Sequence, residues 1–266
     1  MRPDNFDTWQ DVIASDMGLQ DWCILLGFRG SIAHGMYVPN SDPNSIDDID
    51  LMAVCRPDLD YYFGLKEYGS RGTREITKDP YDVVIYEVKK MLRLLSHGNP
   101  NVLSLLWLDD YIVKTPAGQL LVDNRDLFMC KHIYHSFVGY AHGQMQRMTH
   151  FEHKGYMGEK RKQLVAKHRF DTKNAAHLIR LLRMGIEALQ TGILRVKRPD
   201  RDELLAIKHG ALPLAEIQSM AAELFQKCHD AKEACVLPDK PDADAVNKLC
   251  CRVVLAASDN EVCDVS

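Results

Sequence analysis

The sequence predicts an α+β fold, with an N-terminal α/β unit followed by a mostly α-helical C-terminal half. Three observations predict it. The short apolar, β-branched runs Trp22–Phe28, Ile46–Val54 and Asp82–Val88 all lie in the first third of the chain. From Asp126 onward apolar residues recur at helical spacing instead. Proline, glycine and capping residues punctuate the helical half at intervals suited to separate helices. The expected division is residues 1–115 and residues 116–266.

Each element has a local reason. Trp22–Phe28 (WCILLGF) is apolar and stops before Gly30, so it reads as a buried strand. Gly30-Ser31 opens a small-residue turn, with a short helix around Ile32–His34. Residues 37–45 (YVPNSDPNS) are turn chemistry throughout. Ile46–Val54 reads as the second strand and Asp82–Val88 as the third. Arg56–Tyr81, between them, is polar and glycine-containing, which suits a hairpin or a mobile loop. A helix from about Lys89 to Ser96 should end near Gly98. Pro100 then sits near N1 of another, whose apolar face is Val102, Leu105 and Leu106. Asp171 or Thr172 can cap a helix running to about Gln190, with Gly192 just past its end. Its apolar stripe is Ala175, Leu178, Ile179, Leu182, Ile186 and Leu189. Residues 201–209, 213–234 and 245–257 read as three more helices.

Composition excludes several classes. The chain has 266 residues, 46% hydrophobic and 26% charged, which is ordinary globular composition and rules out wholesale disorder. No apolar run reaches the ~18–20 residues that span a bilayer. The start, MRPDNFDTWQ, lacks an apolar core, so no secretory signal is expected. The eight cysteines form no CxxC pair, so free thiols in a reducing cytoplasm are expected, without a zinc site. The net charge of −4 conceals an asymmetry. Residues 1–60 hold eleven acids and three bases; residues 142–183 hold ten bases and three acids. That contrast suits a place where cations and a polyanion meet, or simply two solvated faces of opposite sign.

The chemistry-bearing residues come in order. Asp48 and Asp50 are two apart on an expected strand, which places both carboxylates on one face about 6–7 Å apart, with Asp47 pointing away. Carboxylates converging on one point repel unless a cation lies between them, and Mg²⁺ accepts one or two carboxylates plus phosphate oxygens. Asp82 opens the next strand and would join as a third if the strands are neighbours. Three carboxylates can hold two metals about 3.5–4 Å apart, the arrangement that serves in-line displacement at phosphorus. Gly30 and Ser31 supply a close backbone approach and a hydroxyl donor for phosphate. A lone Gly-Ser or a lone DxD says little; their ordered combination says more.

GSIAHG (30–35) followed by SIDDIDLMAV (45–54) resembles the GS…DxD signature of polymerase-β-superfamily nucleotidyltransferases. Residues 82–107, 155–163 and 170–189 are similar to a bacterial and phage branch, some of whose members are associated with RNA repair. The resemblance covers roughly residues 22–215. It implies the small mixed-sheet catalytic fold, followed here by the helical half. It also implies Mg²⁺ dependence, with two ions and Mn²⁺ as a substitute, and transfer of a nucleotide from an NTP. Gly30 and Ser31 fall on the phosphate-gripping turn and Asp48 and Asp50 on the metal-binding pair. Asp82 falls on the third carboxylate, the base for the acceptor hydroxyl. The loop from Gly35 to Asp48 is longer than in the smallest members and adds Asp42 and Asp47.

On the helix expected from residue 172, Lys173, His177 and Arg180 fall at i, i+4 and i+7 and share a face. Such a row can bind the phosphates of an NTP or an RNA backbone, or can simply be the polar side of an amphipathic helix. The resemblance favours the ligand. Arg183 would extend the row, and Lys160, with Arg161 and Lys162, would close over the same anion. His34, Asn99 and Asn101 are secondary candidates, and the run at 195–201 (RVKRPDR) is a candidate RNA contact or a solvated loop. The favoured partners are therefore an NTP donor and an RNA end as acceptor, with no membrane. A protein or small-molecule acceptor, or a nucleotide-binding module without turnover, are the competing readings.

Overall fold

Among the described residues, five segments pair into one mixed sheet: β1 (Cys23–Phe28), β2 (Ile49–Cys55), β3 (Thr73–Lys78), β4 (Tyr81–Glu87) and β5 (Val113–Lys114). The computed structural model describes residues 17–39, 41–42, 45–78, 81–149 and 158–256. The strand order is β3-β4-β2-β1-β5. Only β2 and β4 run parallel, with Ile49 opposite Tyr81 and Asp50 opposite Asp82; the other pairs are antiparallel. The long segment after Arg56 supplies β3 as one arm of a hairpin, and a helical turn, Asp60–Phe63.

Strand alternation gives the sheet two apolar faces. Leu51, Ala53 and Cys55 of β2 join Val83 and Ile85 of β4 in a cluster closed by Leu19, Tyr61 and Tyr68. Met52 and Val54 face the other way, into a larger core shared with the helices. Asp50 has the phase of Met52, so it stands on the helix-covered face at the end where β2 begins.

The helices follow their sequence signals closely. α1 (Met17–Trp22) precedes the first strand, and α2 (Gly30–Ala33) is the short turn of helix after it. After α3 (Asp60–Phe63), α4 (Val88–Ser96) continues directly from β4 and is capped by Glu87, whose carboxylate accepts from the backbone N–H groups of Lys89 and Lys90 at 2.7 and 3.1 Å. α5 (Pro100–Leu106) carries Pro100 in its first turn and is capped by Asn99. α6 (Pro116–Asp123) was not expected; it packs so tightly on β1 that a Cβ at Gly118 would lie 2.1 Å from the Ile24 carbonyl oxygen. α7 (Ile133–Thr149), α8 (Glu159–His168), α9 (Thr172–Thr191), α10 (Arg201–Lys208), α11 (Leu214–Glu233) and α12 (Ala243–Val254) make up the rest. Among the described residues, no helix is long and apolar enough to cross a membrane.

α9 is central. Asp171 caps it by accepting from the N–H groups of Lys173 and Asn174, and Gly192 ends it at φ +69°. It packs against α7, α10 and α11. Ala175, Leu178, Ile179, Leu182 and Ala188 are buried in a core that runs without a break from Ile24 in β1 to Val254 in α12. The expected α+β architecture is therefore the observed one.

Candidate active site

The beginning of β2 brings the site together. Asp50 and Asp82 are register partners on adjacent parallel strands, and Arg29 reaches both. An Arg29 Nη2 donor lies 2.9 Å from Asp82 Oδ2 and 3.4 Å from Asp50 Oδ1. Gly30 must be glycine here: its φ is +61°, and a Cβ would stand 2.3 Å from Asp50 Oδ2. The Gly-Ser turn is thus folded directly onto the Asp50 carboxylate.

A cavity of about 230 Å³ opens beside this pair. Gly30, Ser31, Asp50, Lys173, His177 and Arg180 all line it. The row predicted along α9 therefore faces the Gly-Ser turn across one cleft. Lys173 Nζ donates to the Ile46 carbonyl at 3.0 Å, which holds the helix start against the segment leading into β2. His34 and Asn101 also line the cleft, whereas Asn99 is spent capping α5.

Four expectations need correction. β2 begins at Ile49, not Ile46, so Asp48 precedes the strand and is exposed. The reason is Asp47. Its carboxylate accepts from the Val38 N–H at 3.1 Å and is paired with Lys208, which pulls residues 45–47 inward before strand pairing starts. Asp47 consequently lines the cleft rather than pointing away from it. Arg183 does not extend the anion row; it is neutralised by Asp200 at 2.6 Å and Glu203 at 2.8 Å. Lys160 is exposed on α8 and does not line the cleft, while its neighbour Arg161 is committed to Asp171 at 2.7 Å.

Charge explains the rest of the geometry. Burial raises the Asp50 carboxyl from the ordinary carboxylate range to about 6. Arg29 and Lys173 pull it down, and Asp82 and Asp48 push it up. All three acids thus share one field, although Asp48 stands outside the strand. Arg180 is buried in α9, and its guanidinium donates to the Met184 thioether at 3.1 Å. Among the described residues no carboxylate lies within ion-pairing distance of it. Burial, then the neighbouring Arg198, lowers it to about 9. A buried cation in this condition is a ready-made anion site.

Two buried histidines share that field. His34 Nδ1 donates to the Val196 carbonyl at 2.9 Å, and among the described residues His177 Nε2 is enclosed without a hydrogen-bond partner. Burial and then Arg180 hold both imidazoles well below their usual range. The unfolded chain takes up these two protons below about pH 6.5 and the folded chain does not. Stability therefore falls as pH drops through 6.5, by about 1.4 kcal/mol per pH unit for each histidine. Urea unfolding of wild type and of the His34→Gln/His177→Gln variant checks this: the difference in pH slope should be about 2.7 kcal/mol per unit.

Sequence reasoning missed Arg29 and Lys208. Arg29 was visible, since it directly precedes the Gly-Ser turn. Lys208 had no local signal; it arrives from α10 and is buried against Asp47 and the Met36 carbonyl.

Among the described residues no three His, Cys, Asp or Glu side chains are grouped closely enough to hold a metal. The Asp50–Asp82 pair does fit Mg²⁺, which takes one or two carboxylates and completes its shell with water and phosphate oxygens. Their mutual repulsion, compensated here by Arg29, is what such an ion would relieve.

A mixed five-stranded sheet, paired acids on its parallel strands and a Gly-Ser turn folded against them define the nucleotidyltransferase fold class. The family comparison makes the assignment specific. The chain belongs to the RNA repair pathway DNA polymerase beta family, whose model matches residues 22–252. No curated protein matches the chain.

Proposed function

We propose that the protein is a divalent-metal-dependent nucleotidyltransferase that moves an NMP from an NTP to a hydroxyl at an RNA end. The observation that carries this reading is the single cleft shared by Gly30, Ser31, Asp50, Lys173, His177 and Arg180. It sets groups suited to phosphate opposite Asp50, the member of the Asp50–Asp82 pair that lines it, as a reaction at phosphorus requires. The family supports the reaction class and the RNA context.

Each residue then has a task. Ser31 and the backbone of the turn donate to phosphate oxygens, and Gly30 permits their close approach. Lys173 and Arg180 offset the charge of the triphosphate from the helix side. Asp50 and Asp82, with Asp48 as the exposed third acid, would hold Mg²⁺ or Mn²⁺. When bound, such ions stabilise charge on the attacking and leaving oxygens. Asp82 is the more open of the pair and is suited to accept the proton of the acceptor hydroxyl. Arg29 orients both carboxylates.

The test is transfer from labelled NTPs to a panel of RNAs with 3′-hydroxyl ends, measured together with pyrophosphate release. Transfer should require a divalent ion and be lost in Asp82→Asn. Label appearing on protein instead of RNA would replace the acceptor, and label retained unreacted on the protein would replace the enzyme with a binding module. Gly30→Ala adds a geometric check. It forces a side chain into left-handed backbone and into Asp50, and a displacement of about 1 Å at a reacting group costs ~100-fold in rate.

A further inference from the structure

The basic run from Arg195 to Arg201 is a sequence feature that the cleft does not absorb. Its exposure alternates: Leu194, Val196 and Arg198 are buried, while Arg195 and Lys197 are exposed. The buried members tie the run to the Gly-Ser turn. Val196 accepts from His34 Nδ1 at 2.9 Å, and the Arg198 N–H donates to the His34 carbonyl at 3.2 Å. The Lys197 and Arg201 stems each pass 3.8 Å from where a Cβ at Gly35 would stand. Lys197 and Arg201 therefore stand beside Gly35, between the cleft-lining His34 and Met36, and Arg195 shares the exposed phase of Lys197.

The neighbouring acids do not neutralise them. The Arg198 side chain, 1% exposed, takes both oxygens of Glu187 at 2.8 Å and one of Asp200 at 2.8 Å. Asp200 and Glu203 are also spent on Arg183. Among the described residues, Arg195 and Lys197 have no carboxylate within ion-pairing distance. Arg201 has the adjacent Asp202 at 3.4 Å, both more than half exposed, a pairing worth little. Burying the Arg198 network is a costly way to hold a merely solvated loop. It is a sensible way to present fixed cations, because a loop ordered in advance loses little entropy on binding.

We propose that Arg195, Lys197 and Arg201 bind the phosphodiester backbone of a single-stranded RNA at the mouth of the cleft. One short rim of three cations tracks one backbone, and phosphate contacts of this kind position a strand without reading its sequence. The proposal rests on the RNA-acceptor reading for its purpose, and its test is binding without turnover.

The probe is a fluorescein-labelled single-stranded RNA of mixed sequence, followed by anisotropy between about 50 and 200 mM salt. Replacing all three residues (R195A/K197A/R201A) should lower the slope of log affinity against log salt by about 2, since each single-strand phosphate contact contributes ~0.7. Affinity near 0.1 M salt should fall about a hundredfold. The charge-conserving variant R195K/K197R/R201K should restore both, which a purely structural role would not do. Unchanged slope and affinity in the alanine variant overturn the proposal. So does wild-type protein that binds the RNA no better than polyglutamate. If the rim binds RNA yet no nucleotide is transferred, the catalytic reading fails and the rim stands.

Discussion

Asp50→Asn is expected to lower nucleotidyl transfer by about a thousandfold while leaving the fold at least as stable as wild type. The activity loss follows from removing an anionic ligand at the reacting centre, where metal-assisted charge stabilisation is worth several kcal/mol; ~4 kcal/mol is about three orders of magnitude. The stability result follows from burial. The raise of Asp50 to about 6 corresponds to ~3 kcal/mol of unfavourable charge burial at neutral pH. Asparagine keeps the shape and removes that cost. Arg29 retains Asp82 at 2.9 Å, so its guanidinium is not left unpaired. Turnover measured with Mg²⁺, and thermal melting measured in chelator, separate the two effects. A variant that loses activity only because it melts early would make Asp50 a structural residue.

Much of this architecture is legible in the chain because its signals are local. Asp171 and Gly192 bracket α9 through short-range capping geometry, and Asn99-Pro100 opens α5 in the same way. Once α9 is placed, the shared face of Lys173, His177 and Arg180 follows from helical spacing alone. The errors arise where a distant residue overrides a local pattern. IDDIDLMAV reads as one continuous strand, yet Lys208 from α10 draws Asp47 inward and delays the strand to Ile49. Arg183 has the same spacing as the anion row, and only the arrival of Asp200 and Glu203 neutralises it. Tyr61 and Phe63 show the limit within one turn of α3. Tyr61 packs against Trp22 at 5.3 Å, while Phe63, two residues on, is left in solvent.

Arg180→Met is expected to raise the melting temperature while weakening NTP binding about 10–100-fold. Methionine is unbranched and apolar, forms helix well and suits a buried position beside Met184. The arginine it replaces is buried with a thioether as its hydrogen-bond acceptor, and its fall to about 9 reflects that unfavourable setting. Relieving even ~1 kcal/mol would add about 2–4 °C in a chain of this size. The loss of affinity follows from the other side of the same fact. A charge-assisted hydrogen bond to phosphate is worth ~1.5–3 kcal/mol, and Arg180 enters the cleft uncommitted to any carboxylate among the described residues. Calorimetric titration of Mg-ATP and a melting curve on the same preparations read both quantities. Arg180→Lys discriminates further. It keeps the charge but not the planar fork, so it should recover part of the affinity and none of the stability. If Arg180→Met instead unfolds the protein, the guanidinium is holding α9 in place. If NTP affinity is unchanged, phosphate does not reach this depth of the cleft.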